Sequence, residues 1–291
     1  MTRSEAGHLL IVGLGYTGCA VAAEAQRAGF AVAGTNRCLS QTGPATGLRR
    51  IAFDAAEPAI ATATHLLITA APGEAGDPVL VRYANAISTT PKLRWIGYFS
   101  TTGVYGDRGG AWVDEDTPAA PASERTQRRI AAEQAWGRFA DRRAVDIFRL
   151  AGIYGPGRSA FDDIRAGTAR RISKPGHTFG RIHRDDIARA AVAAMVQARA
   201  TGVRVLNLAD NVPEESARVV EEAARLLGME PPPLIPFAKA RMSAMAQSFW
   251  AENRKVSSRK TQAALGIVWR YPSYREGLVA ILAEERGERA A

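Results

Sequence analysis

The stretch from His8 to Gly34 constrains this chain more than any other. His8-Leu9-Leu10-Ile11-Val12 is a continuous apolar run that stops at a glycine, the pattern of a strand covered on both faces in a parallel sheet. Alanines, valines and a few polar residues then run from Gly18 to Ala28 without a breaker. Gly29 ends them, and residues 30–34 read as a second strand, so the segment predicts one βαβ unit. The turn between its first two elements is Gly13-Leu14-Gly15-Tyr16-Thr17-Gly18. In a G-x-G-x-x-G turn the first glycine makes the tight bend, the second lets backbone approach a pyrophosphate, and the third permits close helix packing. Amides at the helix N-terminus then face the negative charge. A lone glycine pattern is weak evidence. With a strand before it and a helix and strand after it, the pattern predicts a dinucleotide site built on Gly13, Gly15, Tyr16, Thr17 and Gly18.

The second strand ends in Gly34-Thr35-Asn36-Arg37, where an NAD-preferring protein places an acid for the ribose hydroxyls. No acid stands there. Arg37, helped by Thr35 and Asn36, suits a 2′-phosphate, which favours NADP over NAD; the alternative is a solvated loop arginine. Asp54 follows Ile51-Ala52-Phe53 and is placed either to cap the adenine or to cap a helix. Thr69 and Ala70, ending the strand expected over residues 65–70, complete the expected cofactor contacts.

Further strands are expected over 50–53, 94–100, 145–150 and 203–208, with helices over 78–88, 123–140 and 186–200. Such alternation predicts an α/β fold with a doubly wound, Rossmann-type parallel sheet. After residue 209 come a helix over 213–227, a turn at Pro231-Pro232-Pro233 and mixed segments. The expected division is therefore a dinucleotide-binding domain over 1–154 and 181–210. A smaller mixed substrate lobe, interleaved with it, takes 155–180 and 211–291.

Composition narrows the function. A chain of 291 residues with 46% hydrophobic content buries a full core without metal or disulfide help. Cys19 and Cys38 lack metal-type spacing, so free thiols in a reducing compartment are expected, with a regulatory disulfide as the alternative. The apolar run over 8–14 is too short and too soon broken for a signal peptide or membrane span, which points to a cytoplasmic protein. A formal charge of +9 raises nucleic acid as a partner. However, the basic residues are scattered among acids without runs or interleaved aromatics, which argues against it. His8, His65, His177 and His183 lie far apart, so no metal site is expected, and no G-x-S-x-G elbow is present.

Several later segments, added to the glycine turn, resemble the extended short-chain dehydrogenase/reductase superfamily, which holds nucleotide-sugar epimerases and dehydratases. Phe99-Ser100-Thr101-Thr102-Gly103-Val104-Tyr105-Gly106 is similar to its strand-end segment with a catalytic Ser or Thr ahead of Val-Tyr-Gly. Gly152-Ile153-Tyr154-Gly155-Pro156-Gly157 is similar to a later turn of the family. Ile182-His183-Arg184-Asp185-Asp186 resembles a His-x-x-Asp that opens a helix, and 205–210 resembles the last sheet strand. The likeness spans nearly the whole chain. It implies a nicotinamide cofactor, a small-molecule substrate and, through the helix over 123–140, a homodimer.

The family also implies a Tyr and a Lys four residues apart on one helix, the phenol moving the substrate proton and the ammonium holding the nicotinamide ribose. Glu133 aligns the segment, and the Lys position becomes Arg129 and the Tyr position Arg125. A guanidinium has no neutral form near neutral pH, so Arg125 cannot replace the phenol chemically. The pattern matches an atypical branch that keeps the glycine turn and loses the tyrosine. Thr101 for a substrate oxygen, Arg129 for the ribose and Arg125 for an anionic substrate group are the candidate catalytic positions. Tyr105 joins them as a replacement phenol. Each has a structural alternative: Thr101 bonding backbone, Tyr105 packing, and Arg125, Arg129 and Glu133 forming a solvated ion-pair ladder on one helical face. His183 is expected to make a structural bond just before a helix capped by Asp185 or Asp186. Two functions follow: an NAD(P)-dependent oxidoreductase or epimerase-like enzyme, or a non-catalytic dinucleotide-binding sensor.

Overall fold

The computed structural model describes residues 7–37, 48–197 and 199–288; Cys38, and with it any pairing to Cys19, lies outside the described residues. The chain opens with β1 (His8–Val12), α1 (Tyr16–Arg27) and β2 (Ala31–Asn36), the βαβ unit the sequence predicts, followed by β3 (Arg49–Ala52). Then come α2 (Glu57–Thr62), β4 (His65–Ile68), α3 (Pro78–Thr89), β5 (Trp95–Thr101) and the short β6 (Trp112–Val113). α4 (Glu124–Gly137) leads to β7 (Ala144–Leu150) and β8 (Gly152–Tyr154), and α5 (Ala160–Arg165) to β9 (Arg171–Ser173) and β10 (Arg181–His183). α6 (Arg184–Val196) and β11 (Gly202–Leu208) complete the alternating part. The remainder is α7 (Ser216–Leu227), β12 (Leu234–Pro236), α8 (Ala244–Trp250), β13 (Lys255–Val256), α9 (Arg259–Leu265) and α10 (Tyr274–Glu285).

Seven strands form one sheet in the order β11-β7-β5-β4-β1-β2-β3, every neighbouring pair parallel. Successive residues of a strand point to opposite faces, so β1 feeds two cores. Leu9 and Ile11 join a cluster with Ala22 and Ala25 of α1 and Ile187 and Ala191 of α6. Leu10 and Val12 join the opposite one with Ile60, Tyr83 and Trp136. This double covering is why the strand reads as an unbroken apolar run. The chain direction of travel through the sheet reverses between β1 and β4, and ligand crevices in such sheets open beyond the carboxyl ends of the strands at that point.

A third cluster lies off the sheet, where Phe161 and Ile164 of α5, Val220 and Ala224 of α7, and Leu278 and Ile281 of α10 are buried together. Three short parallel pairs stand apart from the main sheet: β8 with β10, β9 with β12, and β6 with β13.

Several element ends differ from expectation for local reasons. The helix expected over 123–140 stops at Gly137 and continues as a 3-10 turn, Arg138–Asp141. The helix expected over 213–227 begins at Ser216, because Glu214 is held extended in a bridge to Phe179. The helix expected over 186–200 begins at Arg184 and stops at Val196. Neither Asp185 nor Asp186 caps it. Its N-cap is His183, whose Nδ1 accepts the Asp185 amide at 3.2 Å. Asp186 turns inward instead and accepts Arg189 Nη1 and the amides of Arg270 and Tyr271.

Candidate functional site

The glycine turn is fixed from three sides. Leu14 donates its amide to Thr35 O at 2.8 Å, and Gly13 donates to the Thr35 hydroxyl at 3.3 Å. Thr69 Oγ1 donates to Gly13 O. Gly13 has φ +109°, and a Cβ there would lie 2.5 Å from Thr69 Oγ1, so no other residue fits that bend. A Cβ on Gly18 would strike Gly13 O, whereas one on Gly15 would meet nothing within 4 Å. Gly15 therefore faces open space. α1 starts immediately after it, with no side-chain cap and no acid in its first turn, leaving N–H groups that suit an anion.

That space is a cavity of about 1080 Å³, lined by Gly13, Gly15, Asn36, Arg37, Thr69 and Ala70, among others. Asn36 is buried and donates Nδ2 to Leu14 O at 3.1 Å, while its Oδ1 has no hydrogen-bond partner among the described residues. Arg37 is exposed beside it. A cradle that a Cβ on Gly15 would fill, uncapped helix amides and an orphan acceptor at the end of β2 together fit a dinucleotide. Thr35 and Asn36 are partly spent on the glycine turn itself, which reduces the help they can give Arg37. Asp54 sits exposed on the 3-10 turn Phe53–Ala55 and is not among the lining residues; its neighbour Phe53 is. Glu74 and Arg82 also line this cavity. The sequence reading missed both, because the Gly73–Gly76 turn that presents Glu74 carries no pattern of its own.

A second cavity, of about 430 Å³, opens at the carboxyl ends of β5 and β7. Thr101 lines it as the N-cap of a 3-10 turn, its hydroxyl accepting the Gly103 amide at 3.1 Å. Arg125 also lines it, from the first turn of α4. That helix is started by Ser123 in a capping box with Thr126, and Thr126 packs on Gly103. α4 is thereby docked onto the Thr101 turn.

One turn further, Arg129 Nη1 donates to Phe99 O at 2.8 Å and to Tyr98 Oη at 3.3 Å. Burial pushes the Tyr98 phenol up to about 12. Glu133 does not join Arg125 and Arg129 in a surface ladder. It is buried, accepts Ser100 Oγ, and pairs with Arg149 of β7 at 2.7 Å. An ion pair this deep needs full hydrogen bonding to be tolerated, and Arg149 supplies it in a forked contact. The Arg149 guanidinium lies 4.8 Å over the Tyr105 ring.

Tyr105 is fully buried and donates its hydroxyl to Asn207 Oδ1 at 2.8 Å; burial raises its pKa. It is not among the lining residues of either cavity. The structure thus packs Tyr105 and does not present its phenol to either cavity. His183 is likewise buried, between the rings of Tyr154 and Tyr271, and burial lowers it to about 4. Four arginines line the second cavity, Arg125, Arg158, Arg181 and Arg254. The last three escaped the sequence reading, because they come from separate segments that only the tertiary fold brings together.

The glycine turn also reaches the second cavity. Tyr16 donates its hydroxyl to Pro156 O at 3.0 Å, and its ring lies between the guanidinium groups of Arg158 and Arg184, at 5.8 and 5.1 Å. Gly155 has φ +153°, and a Cβ there would stand 2.6 Å from that hydroxyl.

No protein-family model matches the sequence. Over 137 residues the chain is 34% identical to protein YeeZ of Escherichia coli K12, covering 46% of this chain and 47% of that one. Over 142 residues it is 33% identical to a 3-diazoavenalumate denitrifying reductase of a Streptomyces species, covering 45% of each. The chain thus spans about half the length of the curated relatives it matches. A conserved protein of unknown function from Silicibacter pomeroyi is 41% identical and superposes with a TM-score of 0.89, covering 96% of this chain and 99% of that one. The fold is shared with MoeE5 in complex with UDP-glucuronic acid and NAD (23% identity, TM-score 0.79, covering 97% and 100%). It is also shared with the human epimerase family protein SDR39U1 with NADPH (20% identity, TM-score 0.74, covering 94% and 98%). With the glycine turn and the seven-stranded sheet in agreement, the chain has the fold of the epimerase/dehydratase-like short-chain dehydrogenase/reductase proteins, and it belongs to one family with the Silicibacter pomeroyi protein.

Proposed function

We propose that this protein is an NAD(P)-dependent oxidoreductase or epimerase-like enzyme acting on a small hydroxyl- or carbonyl-bearing substrate, with NADP preferred to NAD. The observation that carries it is the open face of Gly15 below uncapped helix amides, next to a second cavity that presents Thr101. The bound dinucleotide would supply hydride chemistry. Gly13, Gly15, Tyr16, Thr17 and Gly18 hold its pyrophosphate, Thr69 and Ala70 flank it, and Arg37 pairs with a 2′-phosphate. Arg129, already braced on Phe99 O, steadies the ribose. Thr101 bonds the substrate oxygen and Arg125 an anionic group. This placement belongs to an atypical branch without the tyrosine. A cytoplasmic location and a homodimer through α4 complete the reading. Among the described residues no helix is long and apolar enough to cross a membrane.

A second reading, a dinucleotide-binding sensor without turnover, is favoured by the absence of a phenol at position 125 and the burial of Tyr105. Fluorescence titration with NADPH and NADH tests binding, and NADPH oxidation against a carbonyl and sugar-nucleotide panel separates the two. Tight binding with no turnover leaves the sensor; no binding at millimolar nucleotide removes both.

A further inference from the structure

The second cavity holds more positive charge than a neutral carbonyl substrate needs. Its lining has four guanidinium groups and one carboxylate, Glu252. Glu252 is taken by Arg254 at 2.6 Å, and Arg254 also donates to Gly106 O. Arg181 is committed to the carbonyls of Phe179 and Glu214. Arg158 rests against Tyr16. Arg125 has no carboxylate within 4 Å among the described residues; its contact is the face of Phe249, 4.6 Å away. Burial lowers its pKa, and Arg129 and Arg254 lower it further while Glu252 opposes them.

The Arg125 fork matches a carboxylate bidentately, and its exposure leaves it open to an arriving ligand. Beside it stands a ready donor. Thr101 accepts the Gly103 amide, and its own O–H has no acceptor among the described residues. A Cβ built on Gly103 would lie 3.3 Å from Thr101 Oγ1 and 3.1 Å from Thr126 Cγ2, so the residue next to Arg125 touches the Thr101 turn. Both groups line one cavity, at the small end of the usual range for a ligand site.

We propose that the substrate is a 2-oxo or 2-hydroxy carboxylic acid, its carboxylate gripped by Arg125 and its adjoining carbonyl oxygen bonded by Thr101. This rests on the dinucleotide reading above. In the reducing direction a hydride from the reduced nicotinamide forms the new C–H bond at carbon 2, and the C=O π pair moves to oxygen. That oxygen takes a proton from water, which leaves as hydroxide, giving the 2-hydroxy acid and oxidised dinucleotide. Arg125 stays charged throughout, which is why losing the phenol is compatible with turnover: the guanidinium and hydroxyl stabilise the growing negative charge, and water provides the proton.

The test is calorimetric binding of 2-oxobutyrate, 2-oxo-4-phenylbutyrate and 2-oxoglutarate, and of their methyl esters, to NADPH-loaded protein. At least one acid is expected to bind, with its ester weaker by about 10-fold or more. Arg125→Ala should lose a similar factor at an unchanged melting temperature, and Arg125→Lys should recover part of it, keeping the charge but not the fork. NADPH binding without acid binding overturns the proposal and spares the dinucleotide reading. Equal affinity for acid and ester, or for wild type and Arg125→Ala, also overturns it. If NADPH itself fails to bind, it is the underlying reading that falls.

Discussion

Asn36 and Arg37 set the chemistry at the end of β2 between them, one an orphan buried amide oxygen and the other an exposed cation. A charge-assisted bond to a 2′-phosphate is worth about 1.5–3 kcal/mol. Arg37→Ala is therefore expected to weaken NADPH by about 10- to 100-fold and leave NADH unchanged, as read by fluorescence titration. Asp210 carries a different prediction. Its carboxyl is buried, and burial raises it from 3.8 to about 8 against the lowering effect of Arg181 and of nearby backbone N–H groups. Between those values the unfolded chain gives up a proton that the folded protein keeps, so stability falls as pH rises from about 4 to about 8. Asp210→Asn should flatten that slope, melting above wild type at pH 8 with the gap closing toward pH 4. Some of this scale was legible in the sequence. The glycine turn is local, so its place between β1 and α1 was legible, and so was the position of Arg37 just after β2. Glu133 was misjudged, because its partner Arg149 is on β7 and helical spacing knows nothing of it. Glu133→Ala leaves that guanidinium buried and unpaired, and a loss of about 3–5 kcal/mol in chemical denaturation is expected.

At the scale of elements, the start of α1 separates a structural glycine from a functional one. Gly15→Ala places a methyl in open space, so the melting temperature should hold while NADPH affinity drops at least about 10-fold, the pyrophosphate having lost its close approach. Gly18→Ala drives a methyl into Gly13 O and should lower both. Measuring the two side by side isolates binding from folding. The sheet was legible because its strands are buried on both faces and so stand out as apolar runs. β6 and β13, and β9 and β12, were not. Each is a two- or three-residue ladder whose partner lies far along the chain, with no periodicity to detect. Helix ends were also hard to read, since the cap of α6 is a histidine rather than either of the acids that follow it.

At the scale of the whole molecule, several arginines are structural rather than free surface charge. Arg143 serves three main-chain carbonyls at the end of α3, and Arg199 and Arg204 close on the fully buried Asp146. Net charge alone pointed to nucleic acid; these contacts show why composition misleads when guanidinium groups are structural. The second cavity was the least legible part. Its walls come from β5, α4, β8, β10 and α8, and no stretch of sequence holds more than a fragment of it.

Tyr16 is rooted by its main chain in the glycine turn and tethered by its hydroxyl to Pro156, so one ring ties that turn to the segment carrying Arg158. A ligand at the turn and one against Arg158 are therefore expected to influence each other's release. In Tyr16→Phe the ring remains and the tether is cut; stopped-flow release of one ligand should then cease to depend on whether the other is present.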